Sequence, residues 1–133
     1  VMNTELDLNS SIFTYSSAGH SPLVVYRKES DSVELHGTKG VAVGFIENYS
    51  YKESSFELKN GDIVLFYTDG IIECENKRRE LFGTQRLLDV VYKNKNLSSK
   101  EIKEKILEAI EDFRQDYEQN DDITFVILKS VKK

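Results

Sequence analysis

The sequence predicts an α+β fold in which helices pack on one face of a mostly antiparallel sheet. Three observations predict it: a series of short alternating or apolar runs up to residue 67, two amphipathic stretches at helical period after residue 83, and a final β-branched run from 123. Leu6-Asp7-Leu8, the turn Asn9-Ser10-Ser11 and the alternating Ile12–Ser16 form a hairpin pattern. Ser17-Ala18-Gly19-His20-Ser21-Pro22 interrupts it, and Leu23–Tyr26 reads as a third strand. Val33–His36 is an exposed fourth strand, and glycines at 37, 40 and 44 mark a loop with special backbone geometry. No Walker pattern accompanies those glycines. Residues 49–58 alternate in places as a fifth strand, and Lys59-Asn60-Gly61-Asp62 is a tight turn. Ile63–Tyr67 then reads as a strand buried on both faces. Thr84 is an N-cap candidate for a helix carrying Leu87, Leu88, Val91 and Tyr92, which Asn94 and Asn96 end. Ser98 and Glu101 make a capping box for a second helix, whose apolar stripe runs Ile102, Ile106, Ala109, Ile110, Phe113, Tyr117. Glu118–Asp122 is an acidic linker into the strand Ile123–Leu128, and Val131–Lys133 is a tail.

Length and composition bound the function. At 133 residues, 39% hydrophobic and 31% charged, the chain makes one domain with a real core. A net charge of −5 argues against nucleic-acid binding, which needs a basic face. No apolar run approaches the roughly 18 residues that cross a membrane, so no membrane contact is expected from this segment. The single cysteine, Cys74, excludes an intrachain disulfide, fits a cytoplasmic location and reads as a half-buried filler.

The candidate chemistry lies at two strand ends. Tyr67-Thr68-Asp69-Gly70 closes the central apolar strand, and the expected turn there uses the positive φ that glycine tolerates. Asp121-Asp122 precedes the last strand. Carboxylates anchored at strand termini suit a hard cation such as Mg²⁺ or Mn²⁺. Taken alone, an Asp-Gly pair is usually only a turn, and an Asp-Asp pair only a solvated loop.

The ordered set Ala18-Gly19-His20-Ser21-Pro22, Gly61–Glu73, Leu81-Phe82-Gly83 and Asp121-Asp122-Ile123-Thr124 resembles the C-terminal part of a bacterial PPM-type serine/threonine phosphatase of the SpoIIE-like or RsbU-like branch. Each piece is weak, but four in order over residues 18–124 are specific. The resemblance implies an αββα sandwich with a binuclear Mn²⁺ or Mg²⁺ site, of which residues 1–133 are one partial domain, half to two-thirds of the whole. It implies Asp69 and Asp121 as metal ligands. Asp122 and Gly70 are implied as supporting positions, and His20 as a loop-orienting group rather than a ligand. Asp62 and Glu73 read as a turn former and a surface residue. The implied activity is dephosphorylation of a regulatory phosphoprotein such as an anti-sigma-factor antagonist.

One departure shapes the expectation. The family's upstream Gly-Asp-x-x-Asp segment has no counterpart between Val1 and Ala18, so the chain reads as a piece of something longer. Two acids do not saturate two six-coordinate cations. The chain by itself is therefore expected to bind metal weakly, to have little activity, and to form a homodimer through open sheet edges. The competing readings are a catalytically dead phosphatase-like module that binds a partner, and a plain acidic interaction domain.

Overall fold

A computed structural model describes residues 1–118 and 121–132. Among these residues, seven strands form two antiparallel sheets. The first sheet has the order β1-β2-β5, from Met2–Asp7, Ile12–Ser17 and Glu53–Glu57. The second has the order β4-β3-β6-β7, from Ser32–His36, Leu23–Arg27, Ile63–Tyr67 and Phe125–Lys129. Three helices follow β6: the single turn α1 (Asp69–Ile72), α2 (Gly83–Lys93) and α3 (Ser99–Arg114). The chain thus has the mixed α+β architecture the sequence predicts, with a sheet on one face of the four-stranded sheet and a helical pair on the other.

Period-two alternation in β6 divides its side chains between two cores. Ile63, Leu65 and Tyr67 join Leu87 and Val91 of α2 and Ile102, Ile106 and Ile110 of α3. Val64 faces the other way, with Phe66 beside it, into the core between the sheets, against Phe13, Tyr15, Leu23 and Val25. Each α3 isoleucine is at most 2% exposed, and burying one stabilises by about 2–3 kcal/mol relative to leaving it in water. The central strand therefore has no free face, and whatever follows it is held from both sides.

Several local expectations hold. The hairpin forms, with β1 at the sheet edge and Leu8 exposed in its turn. The Ser98 hydroxyl accepts from the Glu101 amide, while the Glu101 carboxylate accepts from the Ser98 amide, so the capping box is complete. Asn94 is the C-cap of α2. Cys74 fills the core as expected but is buried more deeply than the half-buried position expected, and that burial pushes its thiol pKa up.

Others are corrected. Thr84 is not the cap of α2; Phe82 holds that position with no side-chain capping bond. Phe82 is 2% exposed and packs edge-on against Phe113, so its burial decides how the chain enters the helix. The fifth strand is only Glu53–Glu57, and the last begins at Phe125 rather than Ile123. Tyr117 lies beyond α3, where its hydroxyl accepts from Arg79. The acidic linker includes Gln119 and Asn120, and the tail ends at Lys133; these three lie outside the described residues.

Candidate metal centre at the ends of β6 and β7

The β6–β7 ladder pairs Tyr67 with Phe125 and continues one residue further through one backbone bond and one side-chain bond. The Thr68 amide donates to the Thr124 carbonyl at 3.0 Å, and the Thr124 amide donates to the Thr68 hydroxyl at 3.2 Å. Two threonines just beyond the paired strand ends thus tie together the segments that carry the acids.

Gly70 completes the junction for a different reason from the one expected. It is the second residue of the α1 turn and has no positive φ. A Cβ built on it would lie 2.1 Å from the Asp122 carbonyl oxygen and 3.0 Å from its carbon. Both are backbone atoms with no room to yield. Glycine is required here so that the Asp121-Asp122 backbone can rest on the start of α1.

Asp69 stands at this junction with its carboxylate exposed, and one oxygen accepts from the Ser21 hydroxyl. That bond joins the Ala18–Pro22 segment to the end of β6 across 48 residues of sequence. Asp121, also exposed, accepts from the Asp122 amide through Oδ1 at 2.8 Å. Asp69's negative charge contributes to raising the Tyr67 phenol pKa, although burial is the larger cause.

His20 shapes its own loop. Its amide donates to the Ser17 hydroxyl at 3.1 Å, and its Nδ1 lies 2.9 Å from the Ser21 carbonyl. A carbonyl only accepts, so Nδ1 carries the proton and Nε2 keeps its lone pair in the neutral ring. His20 lines a cavity of about 340 Å³ with Met2, Thr4, Phe66 and Val126. The glycine loop closes behind this segment. A Cβ on Gly40 would lie 2.1 Å from the Ser17 carbonyl oxygen.

Asp62 has no place in this site. It is 1% exposed at the opposite end of β6, accepting from the amides of Lys28 and Lys59 at 2.9 Å each. Glu73 is an exposed residue whose amide closes α1 on the Asp69 carbonyl. Sequence reasoning assigned no role to Ser21 or to the Thr68–Thr124 pair. Ser21 sits in the same segment as His20, but a partner 48 positions away leaves no local signal.

Asp69 and Asp121 offer hard oxygen donors from rigid strand ends, which fits Mg²⁺ or Mn²⁺. Among the described residues, no group of three or more Asp, Glu, His or Cys side chains is arranged to hold a metal ion. Two carboxylates are fewer donors than a six-coordinate cation takes.

Solved structures place the fold in a class. The SiaA-PP2C domain of Pseudomonas aeruginosa superposes with a TM-score of 0.81 at 20% identity, over 96% of this chain and 50% of that one. The manganese-presoaked phosphatase domain of SpoIIE from Bacillus subtilis gives 0.68 at 21% identity, over 100% of this chain and 57% of that one. The architecture is that of a PP2C-type phosphatase domain.

The family model described as Stage II sporulation protein E (SpoIIE) matches residues 1–131, and the chain belongs to that family. Among curated proteins it is 30% identical over 119 residues to the phosphoserine phosphatase RsbU of Bacillus subtilis (strain 168). That match covers 88% of this chain and 34% of RsbU, so the chain spans about a third of that relative's length.

Proposed function

We propose that this chain is part of a PPM-type protein serine/threonine phosphatase domain, and that its parent protein dephosphorylates a regulatory phosphoprotein such as an anti-sigma-factor antagonist. The observation that carries the reading is the junction at Gly70, where backbone contact brings the Asp69 and Asp121 segments together at neighbouring strand ends. Membership of the SpoIIE family and the similarity to a phosphoserine phosphatase support it.

In this reading Asp69 and Asp121 hold Mn²⁺ or Mg²⁺. Bound cations of this kind supply an activated water near neutral pH and neutralise charge on a phosphoryl group. The chain's own residues do the positioning. Ser21 fixes one oxygen of Asp69, and the Thr68–Thr124 pair holds the two strand ends in register. His20 and Ser17 set the loop that presents Ser21, and Asp122 braces the turn against Gly70. The remaining ligands come from parent sequence outside these residues, and the protein works in the cytoplasm. The edge position of β1 and the exposed Val126 on β7 support self-association as a homodimer, which light scattering tests.

Mn²⁺-dependent hydrolysis of a phosphoserine peptide tests the reading, with this chain and the full-length parent assayed together. The parent is expected to hydrolyse the peptide and to lose activity in chelator, while the chain alone shows little. No turnover by either would overturn the phosphatase reading and favour a partner-binding module on the same fold.

A further inference from the structure

At the end of the four-stranded sheet away from Asp69, the molecule carries a second cavity, of about 310 Å³. Its lining comes from the turn before β6, the end of β7 with the residues after it, the end of β3, and the α2–α3 connection. Four lysines, Lys28, Lys95, Lys129 and Lys132, line it with Asn60 and Asn96, and no acid does among the described residues. In a chain of net charge −5, such a concentration of positive charge is a local inversion of the overall field.

The lysines differ in what they have left to offer. Lys95 is already engaged, paired with Asp31 and lying 3.9 Å over the Tyr92 ring. Lys129 donates to the carbonyls of Lys95 and Leu97, which fixes its ammonium at the cavity wall. Its pKa is lowered first by burial and then by the charge of Lys28, while Glu101 acts weakly the other way. Lys28, Lys129 and Lys132 have no carboxylate within ion-pair distance among the described residues. The site is also shaped. Gly61 takes a φ of +87°, and a Cβ there would lie 2.4 Å from Lys28 Cδ, so the glycine is the bed on which the Lys28 stem lies.

We propose that this cavity is a binding site for a small, multiply charged phosphate-type anion, held chiefly by the ammonium groups of Lys28, Lys129 and Lys132. Lysine ammoniums act as point charges toward phosphate oxygens and impose no planar geometry. Tyr26, the aromatic ring in the lining among the described residues, is 4% exposed with its hydroxyl bonded to Asp31, so its face is not available to stack on a nucleobase. Recognition therefore lies in the phosphates. The site is independent of the Asp69 junction, which lies roughly 15–20 Å away at the other end of five-residue strands.

Calorimetric titration of the full-length protein with pyrophosphate tests this, in low-salt buffer with chelator so that no divalent cation takes part. Saturable binding is expected, weakening as salt is raised. The double variant Lys28→Gln/Lys132→Gln should lose roughly tenfold or more in affinity, while Lys105→Gln, on the exposed face of α3, should not change it. If circular dichroism shows the double variant misfolded, Lys132→Gln alone, at an exposed position after β7, must still lose several-fold. ADP run in parallel identifies the source: equal affinity assigns the free anion, and tighter binding that is lost in the same variant assigns a nucleotide. Absence of saturation, or undiminished binding in the folded lysine variants, would overturn the proposal.

Discussion

Asp62 and Asp69 flank the same strand, one before its first residue and one after its last, and their surroundings are opposite. Asp62 is 1% exposed; both its oxygens are taken by backbone amides, and Arg27 NH1 lies 3.4 Å from Oδ2. Asp69 is exposed, and a single hydroxyl holds one of its oxygens. A carboxylate whose lone pairs are spent on the fold has nothing left for a ligand, whereas one held at a single oxygen is both oriented and available. Acidity at a strand end is therefore a weak sign of chemistry, and unspent acceptor capacity is a better one.

The comparison can be pressed hardest at Asp62. Asp62→Ala strands two backbone donors and leaves a partly buried guanidinium without its carboxylate, so urea unfolding should show a loss of about 3 kcal/mol. Gly70→Ala should cost about 2–3 kcal/mol by the same measurement, because the added methyl meets the Asp122 backbone. Ser21→Ala leaves the fold alone but frees the Asp69 carboxylate, and a Mn²⁺ titration of the full-length parent should show roughly tenfold weaker binding. Asp69→Asn should change the unfolding free energy by no more than about half a kcal/mol. A large loss there would make Asp69 a second Asp62 and erase the distinction.

Glu101 sharpens the contrast from between the two cases, being exposed like Asp69 yet bonded to backbone like Asp62. The Ser98 amide holds its carboxyl below the usual glutamate pKa. A depressed carboxyl contributes stability above the unfolded-state pKa, and that contribution fades as pH falls through the folded value. Wild type should therefore exceed Glu101→Gln in stability at pH 7, and the gap should close once pH drops well below 4.5.

What could be read from the sequence follows the range of the forces involved. The doubly buried β6, the capping box and the strand-end placement of Asp69 rest on residues within a few positions of one another. The cap of α2 was not legible, because burial of Phe82 against Phe113 outweighs the preference of Thr84 for a cap. Gly70 was legible as a special position but not for the right reason: a close approach from a segment 52 residues later leaves the same letter as a positive φ. Asp62 looked like a turn former, and its turn does form, with its amide donating to Lys59 at 3.0 Å. Of the partners of its side chain, the Lys59 amide is local, whereas the Lys28 amide and Arg27 converge on it only in the fold.

The most direct test of the central claim is a Mn²⁺ titration of the full-length parent, comparing wild type with Asp69→Asn and Asp121→Asn. Both variants should fold as wild type does and lose most of their Mn²⁺ affinity. Wild-type affinity in either folded variant would contradict the assignment of the two strand-end acids as metal ligands.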